Sequence, residues 1–542
     1  MNKTERLKAL LANGYFPEEL PPPFTTKDLA RYRNSIWNRW SVISQYPRSS
    51  PEIYNVPRAR SRRRDLSIVN PVAQFHLSKI ISDEWVTIRN HIKSGGFSID
   101  DVKISYSGSR AVSAPDFSLI AHRKAEIASS YNYALASDIS RFYSTLYTHA
   151  IAWALESKNW CKLNLNSPVY FNSLGARIDK AVRKGNDNQT LGIPVGPDTS
   201  RIISEILAVC IDRILTDQLG ETASRAVRNV DDWFIGFDTL GRAEDAAAAI
   251  ASACREYQLE AHPDKTTAKE MPWFDDLPWP TVLSQLRFSP QPKRQLRDIQ
   301  HFFALAFDFS RQYPNDNILN YAIKVTKSST IHSDNWREYE TYLLRAARAN
   351  HTTIPTVVQI LTNYNAKNFN LDKIRIAKLV HDLISQCSPT GRHAEIAWAL
   401  FLAKALKIPL KSNLFDHILK MESATCALLT LDIRSRGLIE GTIDTSTWKS
   451  SLTTDGLNTS MWLLAYEAKK KDWMQSDTPT YVDDHEHFSV LLSKGVTFYD
   501  PKKNVNHIPS AKKAASPMAT EHTIQQNSNL ARFLWQMSMF EL

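Results

Sequence analysis

The sequence predicts an α+β chain, with a mixed strand and helix domain over residues 1–290 and an all-α repeat domain with a C-terminal linker and helix over 291–542. Three observations carry this. Residues 225–237 read as two short apolar strands with two aspartates at the tip between them. Residues 133–138 read as a strand of small and apolar residues that delivers another aspartate at its end. Beyond residue 295, helical segments recur at a fixed spacing.

Composition sets the bounds. The 542 residues are 43% hydrophobic, enough for two or three domains with sizeable cores. Lys and Arg number 66 against 56 Asp and Glu, a net charge of +10 that suits an anionic partner such as nucleic acid. The five cysteines, at 161, 210, 254, 387 and 426, have neither Cys-x-x-Cys nor zinc spacing, and read as reduced core thiols of a cytoplasmic protein. Only 16 glycines occur, where average usage would give roughly 38, which favours helix over turn-rich β structure. No signal peptide and no bilayer-spanning apolar run are visible, so no membrane partner is expected.

In chain order, residues 4–13 read as a short helix ended by Gly14, and Pro21-Pro-Pro23 enforces an extended stretch that is a linker or lies along another surface. Arg58-Ala-Arg-Ser-Arg-Arg-Arg64 puts five arginines in seven positions before the strand-like Leu66-Ser-Ile-Val. Such a run is a solvated tract or a grip on phosphates, Arg64 included, because guanidinium donors match phosphate oxygens in pairs. Residues 72–93 carry helix-spaced apolar positions.

Tyr133-Ala-Leu-Ala-Ser-Asp138 is followed by Tyr143, five positions on, and by an amphipathic helix from Ser144 to Leu155. Leu191-Gly-Ile-Pro-Val-Gly-Pro197 is a rigid turn, with Asp198 or Thr199 as cap of the next helix. It is a plain loop or, through Gly192, Pro194 and Gly196, a backbone platform for a template base and nucleotide. Asp231 and Asp232 repel unless a cation or donors neutralise them, and hard carboxylate oxygens suit Mg²⁺. With Asp138 they supply three carboxylates, the minimum for holding two metals about 3.5–4 Å apart around a transferring phosphoryl group. After an Ala-rich helix over 246–257 comes Lys265, either a surface charge or a group that neutralises a triphosphate and protonates the leaving pyrophosphate.

With these pieces in order, residues 55–290 resemble the fingers and palm of reverse transcriptases. The resemblance makes Asp138, Asp231 and Asp232 the catalytic metal ligands, with the backbone carbonyl of Ile139 beside them and two Mg²⁺ per site, Mn²⁺ being the substitute. It makes Tyr143 the gate against a ribose 2′-hydroxyl, and Gly192, Pro194, Gly196, Lys265 and Arg64 nucleotide-binding. Asp138-Ile-Ser-Arg-Phe-Tyr-Ser-Thr-Leu-Tyr-Thr-His149 and Arg228-x-Val-Asp-Asp look more particularly like the bacterial abortive-infection and unknown-group defence reverse transcriptases, and most like the AbiK-like branch. There are two departures: Asn229 replaces the usual aromatic, and Val195 the glutamine of the Pro-Gln-Gly loop, both where primer and template are handled.

The Asp-Asp pairs at 275–276 and 483–484 lack the strand context. Asp275-Asp276 lies between prolines, and Tyr481-Val-Asp-Asp484 reads as a loop and helix start, with an Asp/Glu/His metal cluster as its alternative. Helices starting near Trp336, Ile354, Lys373 and Gly391, with alternate starts 37 residues apart, suggest HEAT-like paired-helix repeats, which AbiK-like enzymes also carry. Residues 503–528 read as an exposed linker and 530–542 as an apolar helix that buries itself in this chain or a neighbouring subunit.

The function that follows is an antiphage-defence DNA polymerase using dNTPs. The family resemblance implies template-independent synthesis primed by a tyrosine hydroxyl of the protein, a covalently attached DNA product and a homo-oligomer. The alternatives are an RNA-templated reverse transcriptase using a noncoding RNA or a partner reverse transcriptase, and an idle scaffold.

Overall fold

The computed structural model describes residues 1–99, 101–113, 116–220, 225–271 and 278–511. The Asp275-Asp276 pair, residues 512–528 of the expected linker and the expected 530–542 helix lie outside these described residues.

Strands β1 (Glu52–Pro57) and β2 (Arg63–Ile68) form an antiparallel hairpin, so Arg58, Arg60 and Arg62 of the arginine run lie in its loop and Arg63 and Arg64 begin β2. A separate antiparallel sheet holds β3 (Tyr133–Ser137), β4 (Ala226–Asn229), β5 (Asp232–Phe237) and β6 (Thr267–Glu270), in the order β4-β5-β3-β6. Its side chains alternate with period two, and both faces are covered. Leu135, Trp233, Ile235 and Phe237 pack with the Asp198–Leu219 and Leu240–Glu256 helices. Ala134, Val227 and Phe234 face Ile120 and Ile127 of the Phe117–Ser130 helix. Small residues along the Leu240–Glu256 helix, Ala243, Ala246 and Ala253, are fully buried and let it sit close on the sheet.

Several local expectations are corrected. The 72–93 stripe is two helices, Pro71–Asp83 and Trp85–Lys93, turned at Glu84 so that the second packs on the Asp198–Leu219 helix. The expected helix over 144–155 is a short turn, Phe142–Thr145, then Ala150–Glu156. The break arises because Thr148 donates to the Thr190 carbonyl at 2.8 Å and the Leu146 carbonyl accepts from Gly192 at 2.8 Å, so this backbone serves the neighbouring loop. Neither Asp198 nor Thr199 caps its helix, whose N-cap is Pro197 with no side-chain bond. Asp198 instead accepts from the backbone N–H groups of Ala111 and Val112, at 2.8 and 2.9 Å, and from Arg110.

In the second half, helices Trp336–Ala349, Ile354–Asn365 and Lys373–Cys387 begin at the expected residues. The next begins at His393, because Gly391 takes a left-handed φ of 61° and ends the preceding turn. Beyond Leu406 come the Ala424–Ser435 helix, shorter helices and a two-residue parallel pairing of Leu410–Lys411 with Ile439–Glu440. Tyr481 and Val482 are buried in a turn ahead of the Phe488–Ser493 helix. No metal cluster forms there: among the described residues the one such group is His351, Cys387 and Glu395.

The cores do not follow the strand and helix division. One buried apolar cluster runs from Leu7 through Tyr54, Ile68 and Phe75 to the helices between Trp279 and Ala511, while the four-stranded sheet has its own. The proline stretch does lie along another surface, where Asp500 N–H donates to the Pro23 carbonyl at 2.7 Å and Phe24 bridges Tyr499. Trp398 Nε1 donates to the Glu19 carbonyl at 2.8 Å and Trp462 Nε1 to that of Ile68 at 3.2 Å. All five cysteines are buried and unbridged, and no helix of the described residues is long and apolar enough to cross a membrane.

Candidate active site

Two backbone devices build the site floor. Asp138 follows the last residue of β3, and Asp231 sits in the two-residue turn joining β4 to β5, where Asn229 pairs with Asp232. The first turn residue, Val230, has φ 58°. A β-branched side chain is strongly disfavoured there, so the surrounding structure must hold the turn. Past Asp138 the chain pairs briefly with residues 260–262: Ser140 N–H donates to the Glu260 carbonyl at 2.8 Å and His262 N–H to that of Asp138 at 2.7 Å. Because those two bonds flank Ile139, its own carbonyl points away from that segment.

These residues open into a cleft of about 850 Å³. Asp138, Ile139, Asp231 and Asp232 line it together with Tyr143, Arg64, Lys265 and Gly196, residues brought together from five parts of the chain. Gly192 and Pro194 are not among the lining residues; Gly192, with φ 82°, sits tightly against the Ser144 carbonyl. The cleft's positive side chains include Arg58, Arg62, Arg64, Arg110, Arg141, Arg201 and Lys265, so a carboxylate floor faces cationic walls. Such a pairing suits a cation below and phosphates above.

Burial dominates the electrostatics of the floor. Burial, then the neighbouring Asp138 charge, pushes the Asp231 carboxyl up to about 7. Burial and the Asp231 charge push Asp232 well above the usual carboxylate range. Lys124 falls to about 8 through burial, partly offset by Asp232. Lys265 Nζ ion-pairs with Asp138 Oδ2, supplying in part the positive charge the floor lacks. Hard carboxylate oxygens whose ionisation is opposed by their own neighbours fit a divalent ion. Tyr143 is half-buried, its hydroxyl 3.2 Å from Ser204 Oγ.

The cleft also contains groups not singled out from the sequence. Glu18 and Glu19 come from the proline-rich N-terminal segment, and His262 lies beside Lys265. Arg110 donates to the Phe16 and Gly196 carbonyls, both at 2.6 Å, pinning the cleft edge. Beneath the floor, Arg228, Glu205 and Asp212 are fully buried and ion-paired. A signal for the acids existed: positions 201, 205 and 212 lie on one face of a helix that is otherwise an apolar stripe.

No family model matches this chain. No curated protein matches it either. Among the solved structures that match this chain are two telomerases in complex with the TWJ fragment of telomeric RNA. That from Candida albicans is 12% identical over 68% of this chain and 68% of its own, with a TM-score of 0.28. That from Candida tropicalis is 11% identical over 75% of this chain and 68% of its own, with a TM-score of 0.28. Similarity of this degree is too slight to assign a family or a function.

Proposed function

We propose that this chain is a metal-dependent nucleotidyltransferase of the reverse-transcriptase kind, joining deoxynucleotides into DNA. The observation that carries it is the meeting of Asp138, from the end of β3, and Asp231, from the β4–β5 turn, on the floor of a cleft walled by arginines and Lys265. Asp138, Asp231, Asp232 and the Ile139 carbonyl would hold two Mg²⁺, or Mn²⁺, which when bound supply charge neutralisation and favour loss of the attacking hydroxyl's proton. Arg64, Arg201 and Lys265 would hold the triphosphate of a dNTP, and Lys265 would give a proton to the departing pyrophosphate. Tyr143 would stand against a ribose 2′-hydroxyl.

The finer reading is antiphage defence by template-independent DNA synthesis primed from a tyrosine of the protein, within a homo-oligomer. Its support is the likeness of residues 138–149 and of Arg228-x-Val-Asp-Asp to the AbiK-like branch. A second reading, RNA-templated synthesis, is favoured by Arg58 and Arg62, which add to the cleft wall more positive charge than one triphosphate needs.

One experiment separates them. Purified protein is incubated with Mg²⁺ and each labelled dNTP without nucleic acid, and the products are run on a denaturing gel before and after proteinase. Label that migrates with the protein until proteinase treatment supports protein priming, and label that requires added RNA supports the second reading. Wild-type incorporation by the Asp231→Asn, Asp232→Asn double variant would refute the catalytic assignment.

A further inference from the structure

The β4–β5 turn places a metal-ligand candidate after a strained residue, and one buried guanidinium holds that turn from below. Arg228 Nη1 donates to the Val230 carbonyl at 2.7 Å and pairs with Glu205 Oε2 at 3.0 Å. Its Nε lies 2.9 Å from both Asp212 oxygens, and its Nη2 pairs with Asp212 Oδ2 at 2.9 Å. Asp212 is fixed in turn by Trp233 Nε1 at 2.9 Å, on the strand that leaves the turn. All of Arg228, Glu205 and Asp212 are wholly excluded from solvent. Burial pulls the Arg228 guanidinium down, and the Asp212 and Glu205 charges more than reverse it, so it stays charged. Arg201, in the cleft wall, pairs with the other oxygen of Glu205 at 3.1 Å.

This arrangement exceeds what strand pairing needs. The left-handed conformation of Val230 is strained for a β-branched residue, and glycine is the residue that adopts such a φ freely. Here a valine is kept in that conformation while a charge-assisted bond fastens its own carbonyl to Arg228, which is in turn ion-paired with Glu205 and Asp212 of the Asp198–Leu219 helix. We infer that Arg228 is a positioning residue which, through the Val230 carbonyl, keeps the strained turn in the conformation that presents Asp231 to the metal. The inference rests on the reading of Asp138, Asp231 and Asp232 as a metal site. Arg228 touches neither metal nor substrate; it acts on the population of one turn conformation. Lysine cannot replace it, because a single ammonium cannot reach Asp212, Glu205 and the Val230 carbonyl together.

The test measures Mn²⁺ binding by calorimetry, without nucleotide, for the wild type, Arg228→Lys, Val230→Gly and the Arg228→Lys, Val230→Gly double variant. Arg228→Lys is expected to weaken Mn²⁺ binding by about 10-fold as the valine relaxes out of its left-handed conformation. Val230→Gly, which removes the strain, is expected to bring the double variant back to within about 3-fold of wild type. Equal binding by the wild type and Arg228→Lys, or failure of glycine to restore a weakened Arg228→Lys, would overturn the inference, since a purely structural arginine is not rescued by a glycine two residues away. If Arg228→Lys does not fold, Glu205→Gln carries the same comparison, with a loss of about 3-fold, again reversed by Val230→Gly. A wild type that binds Mn²⁺ no better than Asp231→Asn, Asp232→Asn would instead refute the metal site itself.

Discussion

The Arg63 guanidinium grips both carboxylate oxygens of Glu395, at 2.7 and 2.8 Å, across 332 residues of chain. Arg63 also holds Asn55 Oδ1 on the facing strand, and His351 Nδ1 lies 3.2 Å from the same carboxylate. One arginine of the run thereby ties the cleft to a helix of the second half, since Arg63 lines the cleft beside Arg58, Arg62 and Arg64 of the same hairpin. The second half of the chain thus braces part of the cleft's cationic wall.

Arg63→Ala leaves a nearly inaccessible carboxylate with His351 as its remaining side-chain partner. The expected loss is about 2–3 kcal/mol, toward the low end for a broken buried pair because Arg63 is partly exposed. Denaturant unfolding of the purified variant measures it, and an unchanged midpoint would show that the pair adds nothing.

The same pair predicts a pH dependence. Burial pushes the Glu395 carboxyl up, but the bonds from Arg63 and His351 outweigh it and bring it down to about 2, below its ordinary 4.5. A depressed carboxylate contributes stability above its unfolded value, lost as pH falls through the folded one. Wild-type stability should therefore fall between pH 4.5 and 2 more steeply than that of Glu395→Gln, which thermal melts across that range would reveal.

Asp231 predicts the opposite sign. Its carboxyl, ordinarily near 3.8, is raised to about 7 without metal, so its contribution to stability is complete below 3.8 and disappears as pH rises through 7. Metal must displace that proton, so Mn²⁺ binding should tighten from pH 6 to pH 8. Calorimetry in two buffers of different ionisation heat would count the proton released; no pH dependence would mean that Asp231 is already ionised.

Gly196→Ala tests the cleft edge without touching the floor. Gly196 has φ 122°, and an added Cβ would lie 2.8 Å from Pro17 Cγ. A destabilisation of roughly 1–3 kcal/mol is expected from the backbone conformation alone. A melting temperature equal to wild type would show that neither the backbone conformation nor the contact with Pro17 requires glycine at this position.

Tyr143→Ala tests the proposed sugar selection. Ribonucleotide use relative to deoxynucleotide should rise on the order of 10- to 100-fold in a labelled incorporation assay. Unchanged discrimination would remove Tyr143 from that role.

Short-range chemistry made much of this site legible in advance. Alternating apolar residues around Asp231 and Asp232, and the small-residue strand before Asp138, are patterns a dozen residues long, and the strands formed where those patterns lie. The helix starts at Trp336, Ile354 and Lys373 were likewise readable from local periodicity. That Gly196 lines the cleft while Gly192 and Pro194 do not was not legible, because a turn-forming stretch announces a rigid loop without saying which of its residues face the cleft. The 144–155 helix misled because its backbone bonds to residues 190–193, a partner invisible to helical periodicity.

The sequence by itself determined which carboxylates sit at strand ends, where the arginine run lies and where helices of the second half begin, because each depends on backbone preferences and side-chain periods within a turn or two of chain. Only the tertiary structure decided that Arg63 pairs with Glu395, that Arg228 sits beneath Val230 between Glu205 and Asp212, and that residues 7–75 share a core with the repeat helices. Buried charges are tolerable only with partners, and which partners are in reach depends on how the whole chain packs.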